Sequence, residues 1–128
     1  MAVTLSTIAD PLGTKLVIDS DSDNSSEDNA TGAVAGTIYA VEIDNTKNDV
    51  GVYTKLLDDS SATPGTSQAH WVLFAPASTK LTYVIASGLP FTGGLSFWTV
   101  ISPYALTANS ADSTTSPASD VSVKILCT

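Results

Sequence analysis

The sequence predicts an all-β domain: a single antiparallel β-sandwich of about seven strands, with a jelly-roll-like connectivity or a small barrel open to it. Three observations carry this prediction. Apolar and polar residues alternate over short runs, and turn residues separate those runs at roughly 8–15-residue intervals. No apolar stripe of helical period extends beyond two turns.

Along the chain, residues 1–14 hold scattered apolar positions (Val3, Leu5, Ile8, Leu12) and end at Pro11 and Gly13, which predicts an N-terminal arm or edge strand. Residues 15–128 form the sandwich domain. Lys15–Ile18 is its first strand, followed by the polar run Asp19–Asn29 with five carboxylates, which predicts a solvated, mobile acidic loop. Gly36–Ile43 alternates, with Tyr39, Val41 and Ile43 on one face and Ile38, Ala40 and Glu42 on the other. The Asx-rich stretch Asp44–Asp49 predicts a turn, and a strand resumes at Val50–Leu57, so residues 36–57 form a hairpin candidate. Pro64-Gly65 marks a loop over residues 58–67.

Three further strands are predicted at Gln68–Ala75, Thr79–Ala86 and Leu95–Ile101, the last preceded by a bend over Gly88–Gly94. Residues 105–119, rich in Ala, Ser and Thr, read as a loop. Asp120–Cys127 has the cleanest alternation, with Val121, Val123, Ile125 and Cys127 inward.

Composition narrows the function. The chain has 128 residues, enough for one domain with a real core. Only 14% of residues are charged, and the net charge of −8 arises from five Lys, no Arg and thirteen acids. Clustered cations for neutralising phosphates are lacking, which argues against nucleic acid and anionic membrane as partners. A low-charge surface suits coverage by other proteins. The one cysteine, Cys127, excludes an internal disulfide. Met1–Ile8 lacks the basic and unbroken apolar regions of a signal peptide, so none is predicted.

No catalytic constellation stands out, and no enzyme activity or cofactor is expected. His70 is the sole imidazole, and a general base needs a nucleophile or an orienting partner that the sequence does not place beside it. One His and one distant Cys cannot build a conventional zinc site. Asp19, Asp21 and Asp23 open like an EF-hand loop, since alternate carboxylates can converge on Ca²⁺. The match then fails: Asn24 stands where the loop needs Gly and Ala30 where it needs Glu.

The aromatic residues give the sharpest expectation. Phe97 and Trp98 are adjacent, so in a strand they point to opposite faces. If one fills the core, the other is exposed or covered by a partner. Trp71 and Phe74 raise the same question, and outward aromatics are candidate interface anchors. The expected interface residues are Val3, Leu5, Ile8, Trp71, Phe97 and Trp98.

Several stretches resemble small structural proteins of tailed-bacteriophage virions: Ile38 through Asn48, then Val52-Tyr53-Thr54-Lys55-Leu56, Gly65-Thr66 and the apolar run 71–75 with Pro76. The resemblance continues through Gly88, Phe91, Gly94-Leu95-Ser96 and the closing strand, covering about residues 33–126. It implies a capsid decoration or cement protein with a β-sandwich fold, made in the host cytoplasm and carried on the capsid surface. Such proteins bind the major capsid protein and commonly form oligomers, often trimers, over the symmetry axes of the shell. The family offers no catalytic residues to carry over. A tail or baseplate adaptor is the nearest rival. A carbohydrate- or calcium-dependent module using Trp71 or Trp98 and the acidic loop is a more distant one.

Overall fold

The computed structural model describes residues 14–101 and 114–128. The predicted arm, with Val3, Leu5 and Ile8, and the first part of the 105–119 loop lie outside the described residues. Among the described residues, seven strands and no helix are present: β1 (Lys15–Ser22), β2 (Gly36–Asp44), β3 (Val52–Leu57), β4 (Trp71–Ala75), β5 (Lys80–Phe91), β6 (Ser96–Val100) and β7 (Val121–Cys127). They form two antiparallel sheets, one of order β1-β7-β2-β5 and one of order β4-β3-β6.

The pairing is nested. First strand pairs with last (β1 with β7), β2 with β5, and β3 with β4. Between β1 and β2, Glu27 makes a two-way backbone bridge to Phe97 of β6 (2.8 and 3.1 Å), which supplies the remaining pair. A long hairpin rolled up in this order is the jelly-roll connectivity, here with its second strand reduced to a single bridge.

The predicted hairpin over residues 36–57 does not form. Strand β2 already has β7 on one side and β5 on the other, so β3 finds no free edge and crosses to the second sheet. The Asx turn that redirects the chain is pinned from within. Asn45, fully buried, donates from Nδ2 to the carbonyls of Val50 (2.9 Å) and Pro76 (2.9 Å), and Asn48 donates to Asn45 Oδ1 (3.0 Å) and to the Ser119 carbonyl (3.0 Å). These side chains satisfy carbonyls that no ladder reaches at the end of the sandwich.

The main core lies between the sheets and contains Ile38, Val41, Ile43, Val52, Leu56, Phe91, Leu95, Phe97, Val121, Val123 and Ile125. The β7 alternation is as expected from the sequence. In β2 it is not: Ile38 joins Val41 and Ile43 inside, because the register against both neighbours shifts between Ile38 and Ala40. Against β7 the extra residue is Tyr39, a β-bulge that brings Ile38 onto the core face while Val41 and Ile43 keep the face the alternation predicts. Opposite it, β5 continues through the predicted bend, and Gly88 adopts φ +78°. A Cβ there would lie 2.2 Å from Thr37 Cγ2, so only glycine fits this crossing.

Candidate functional site

The acidic stretch is ordered differently from the expected mobile loop. Strand β1 runs on through Asp19 to Ser22, and both of those residues are buried. Residues 23–30 then run along β6: the Thr99 N–H donates to the Asp23 carbonyl (2.8 Å) and the Ala30 N–H to the Leu95 carbonyl (2.7 Å). Ser22 Oγ, Thr99 Oγ1 and Thr54 Oγ1 form a buried hydroxyl chain (2.8 and 2.9 Å) that closes this side of the sandwich. The stretch thus covers the β6 edge, where a bare row of backbone donors and acceptors would invite strand pairing.

Asp19, Asp21 and Asp23 do not converge. A register irregularity between Asp19 and Ser22 leaves Asp19 inside and Asp21 exposed. Asp19 Oδ1 accepts from the Asp21 N–H (3.2 Å), and Asp23 Oδ1 from the Ser25 N–H (2.8 Å), so both serve local turns. Among the described residues, no three His, Cys, Asp or Glu side chains are grouped to hold a metal ion. Asp19 lines a cleft of about 320 Å³ with Val17, Asp21, Glu27, Ala30 and Phe97. Burial pushes its carboxyl up to about 6; the charges of Glu27 and Asp21 add to this, and the Asp21 N–H opposes it.

The aromatic pair splits as the strand geometry requires, but neither ring is left for a partner. Phe97 is fully buried in the main core. Trp98, on the opposite face of its sheet, is also fully buried, in a second cluster with Leu57, Ala69 and Val100, packed by Ala62 and Val72. Ala62 and Ala69 belong to the β3–β4 connection, which folds back over the outside of the three-stranded sheet. Trp71 is half-buried against the main core. Phe97 and Trp98 are therefore packing residues of the domain, while Trp71 keeps part of its ring at the surface. Phe74 is the outward one, its ring 5.0 Å from that of Tyr53.

The same small cluster holds a feature that sequence reading missed. Lys55 is completely buried, directly across the sheet from Val72 and Trp98. Desolvation lowers its pKa to about 8. His70 precedes β4, and its Nδ1 accepts from the Asp58 N–H (3.1 Å). Asp58 Oδ1 in turn accepts from the N–H groups of Thr92 (2.9 Å) and Gly93 (2.7 Å), so the imidazole serves a loop-anchoring network. Cys127 is buried in the main core, where desolvation raises its thiol pKa.

The outer face of the four-stranded sheet is the candidate functional surface. Strand register sets Leu16, Leu126, Ala40 and Val84 side by side in one row across all four strands. Leu16 and Val84 are 57% and 70% exposed, and Ile18, in the next row, is 59% exposed. That next row continues through Lys124 and Glu42 to Thr82. Glu42 Oε1 lies 3.9 Å from both Lys80 Nζ and Lys124 Nζ. Large apolar side chains lined up on an outward sheet face mark a contact surface.

This row had a signal in the sequence. Leu16-Val17-Ile18, Tyr39-Ala40-Val41, Tyr83-Val84-Ile85 and Ile125-Leu126-Cys127 each place three nonpolar residues in succession, which alternation with a solvated face does not call for. Comparison with protein-family models, curated proteins and solved structures finds no match.

Proposed function

We propose that this chain is a non-enzymatic structural subunit of a tailed-bacteriophage virion, a decoration protein that stabilises the shell by binding the major capsid protein. The observation that carries the reading is the apolar row Leu16–Leu126–Ala40–Val84, flanked by the exposed Ile18, on the outer sheet face. A rigid sandwich that presents such a row is suited to making contacts. The resemblance over residues 33–126 supplies the virion context. Within it, the Asn45 and Asn48 side chains fix the turn between the sheets. The protein works here as a homo-oligomer on the capsid surface, after folding in the host cytoplasm.

The test is quantitative mass spectrometry of purified particles. A copy number comparable to that of the coat protein is the expected result. A few copies, or a dozen, places the protein in the tail or baseplate and overturns the decoration role. Absence from particles overturns the virion reading altogether.

A further inference from the structure

We infer that the outer face of the four-stranded sheet is a two-fold contact between copies of this chain, packing sheet to sheet through the Leu16–Leu126–Ala40–Val84 row. The inference rests on the structural-subunit reading and names the surface that would do the associating.

The argument for a second copy is the self-complementarity of the face. In the register of the sheet, β1 and β5 are the outer strands, and β7 and β2 the inner ones. A two-fold axis parallel to the strands, lying between the two sheets and midway between β7 and β2, exchanges β7 with β2 and β1 with β5. It sets Leu16 against the second copy's Val84 and Leu126 against the second copy's Ala40, a large side chain facing a small one. The same operation sets Lys124 against the second copy's Glu42, and does so twice, as isologous contacts require. No like charges are opposed in either row.

Charge also selects this face. The chain carries −8 overall, so two copies repel each other over most of their surface. On the outer sheet face the strands place Lys80 and Lys124 with Glu42 and Asp44, giving local balance. The patch is four strands wide at about 4.8 Å each, a few hundred Å² per copy. A stable interface buries about 800 Å² per partner, so the isolated dimer is weak and gains from the high local concentration of an assembled shell.

Sedimentation velocity of the full chain, from about 10 µM to about 1 mM, tests this. Wild type is expected to shift reversibly from monomer to dimer. Val84→Lys and Lys124→Glu, both at exposed or half-exposed positions, are expected to weaken the dimer at least tenfold while the thermal melt stays within a few degrees. Glu42→Lys alone is likewise weakened, and mixing it with Lys124→Glu restores dimer, because both cross-copy pairs then oppose unlike charges.

A chain that stays monomeric throughout, a trimer, or a dimer indifferent to Val84→Lys and Lys124→Glu overturns the inference. A particle-bound protein that never dimerises removes the contact and leaves the virion role. A charge-swappable dimer absent from particles does the reverse.

Discussion

Replacing Lys55 with Met should change the pH dependence of stability more than any surface substitution. The ammonium is completely buried beside Val72 and Trp98, and its pKa falls from 10.5 to about 8 on folding. Between those values the unfolded chain holds a proton that the folded chain has released. Unfolding free energy therefore rises with pH across the window, by 1.36 kcal/mol per fully developed unit. Allowing for partial titration at both ends, the Lys55 contribution grows by about 2 kcal/mol between roughly pH 7.5 and 9.5. At pH 7 the Lys55 contribution to stability is therefore about 3 kcal/mol below its value at a pH above both pKa values, a dependence that Met, which does not titrate, lacks.

Urea titrations followed by tryptophan fluorescence, at half-unit pH steps, measure this directly. The quantity to plot is the difference between wild type and Lys55→Met, because tyrosines and other lysines cancel in it. The difference between the two should move by about 2 kcal/mol in favour of wild type as pH rises across the window. Parallel curves with a constant gap would refute the reasoning, since they would mean that Lys55 titrates alike in both states.

Asp19 gives the opposite slope on the acid side. Its pKa is raised on folding from 3.8 to about 6, so its contribution to stability is full below pH 4 and is lost as pH rises through 6, about 2–3 kcal/mol in all. Asp19→Asn should remove that slope and raise stability at pH 7, as read from melts at pH 4.5 and 7. Gly88→Ala places a Cβ against Thr37 Cγ2 at a positive-φ position and should cost about 2–4 kcal/mol in urea unfolding; a cost under about 1 kcal/mol would refute the crossing geometry. Cys127, buried and with a raised pKa, should react with a thiol reagent at the rate of opening of the β1–β7–β2 ladder. Labelling in urea should then track unfolding, and rapid labelling of the native protein would contradict its core position.

Local pattern was enough for the fold class and for a segment within each strand, because alternation is a property of neighbouring residues. Val121, Val123, Ile125 and Cys127 show this most plainly. It was not enough for the ends: β1 runs on to Ser22 and β5 through the expected bend to Phe91. Composition alone set the acidic charge, and the scarcity of cations argued against a nucleic-acid partner. Adjacency placed Phe97 and Trp98 on opposite faces, but what covers Trp98 depends on how the β3–β4 connection folds back, and no local rule supplies that.

Everything that depends on register waited for the tertiary structure. The Tyr39 bulge turns Ile38 onto the core face of β2, the crossing to the second sheet undoes the expected hairpin, and the acidic run becomes an edge cover. Leu16, Ala40, Val84 and Leu126 are scattered along the sequence, and each alone is an unremarkable exposed apolar residue. They form one surface because β1, β7, β2 and β5 pair in that order and in that register. Side-chain period determines which way a residue faces, and only long-range pairing determines what it faces beside.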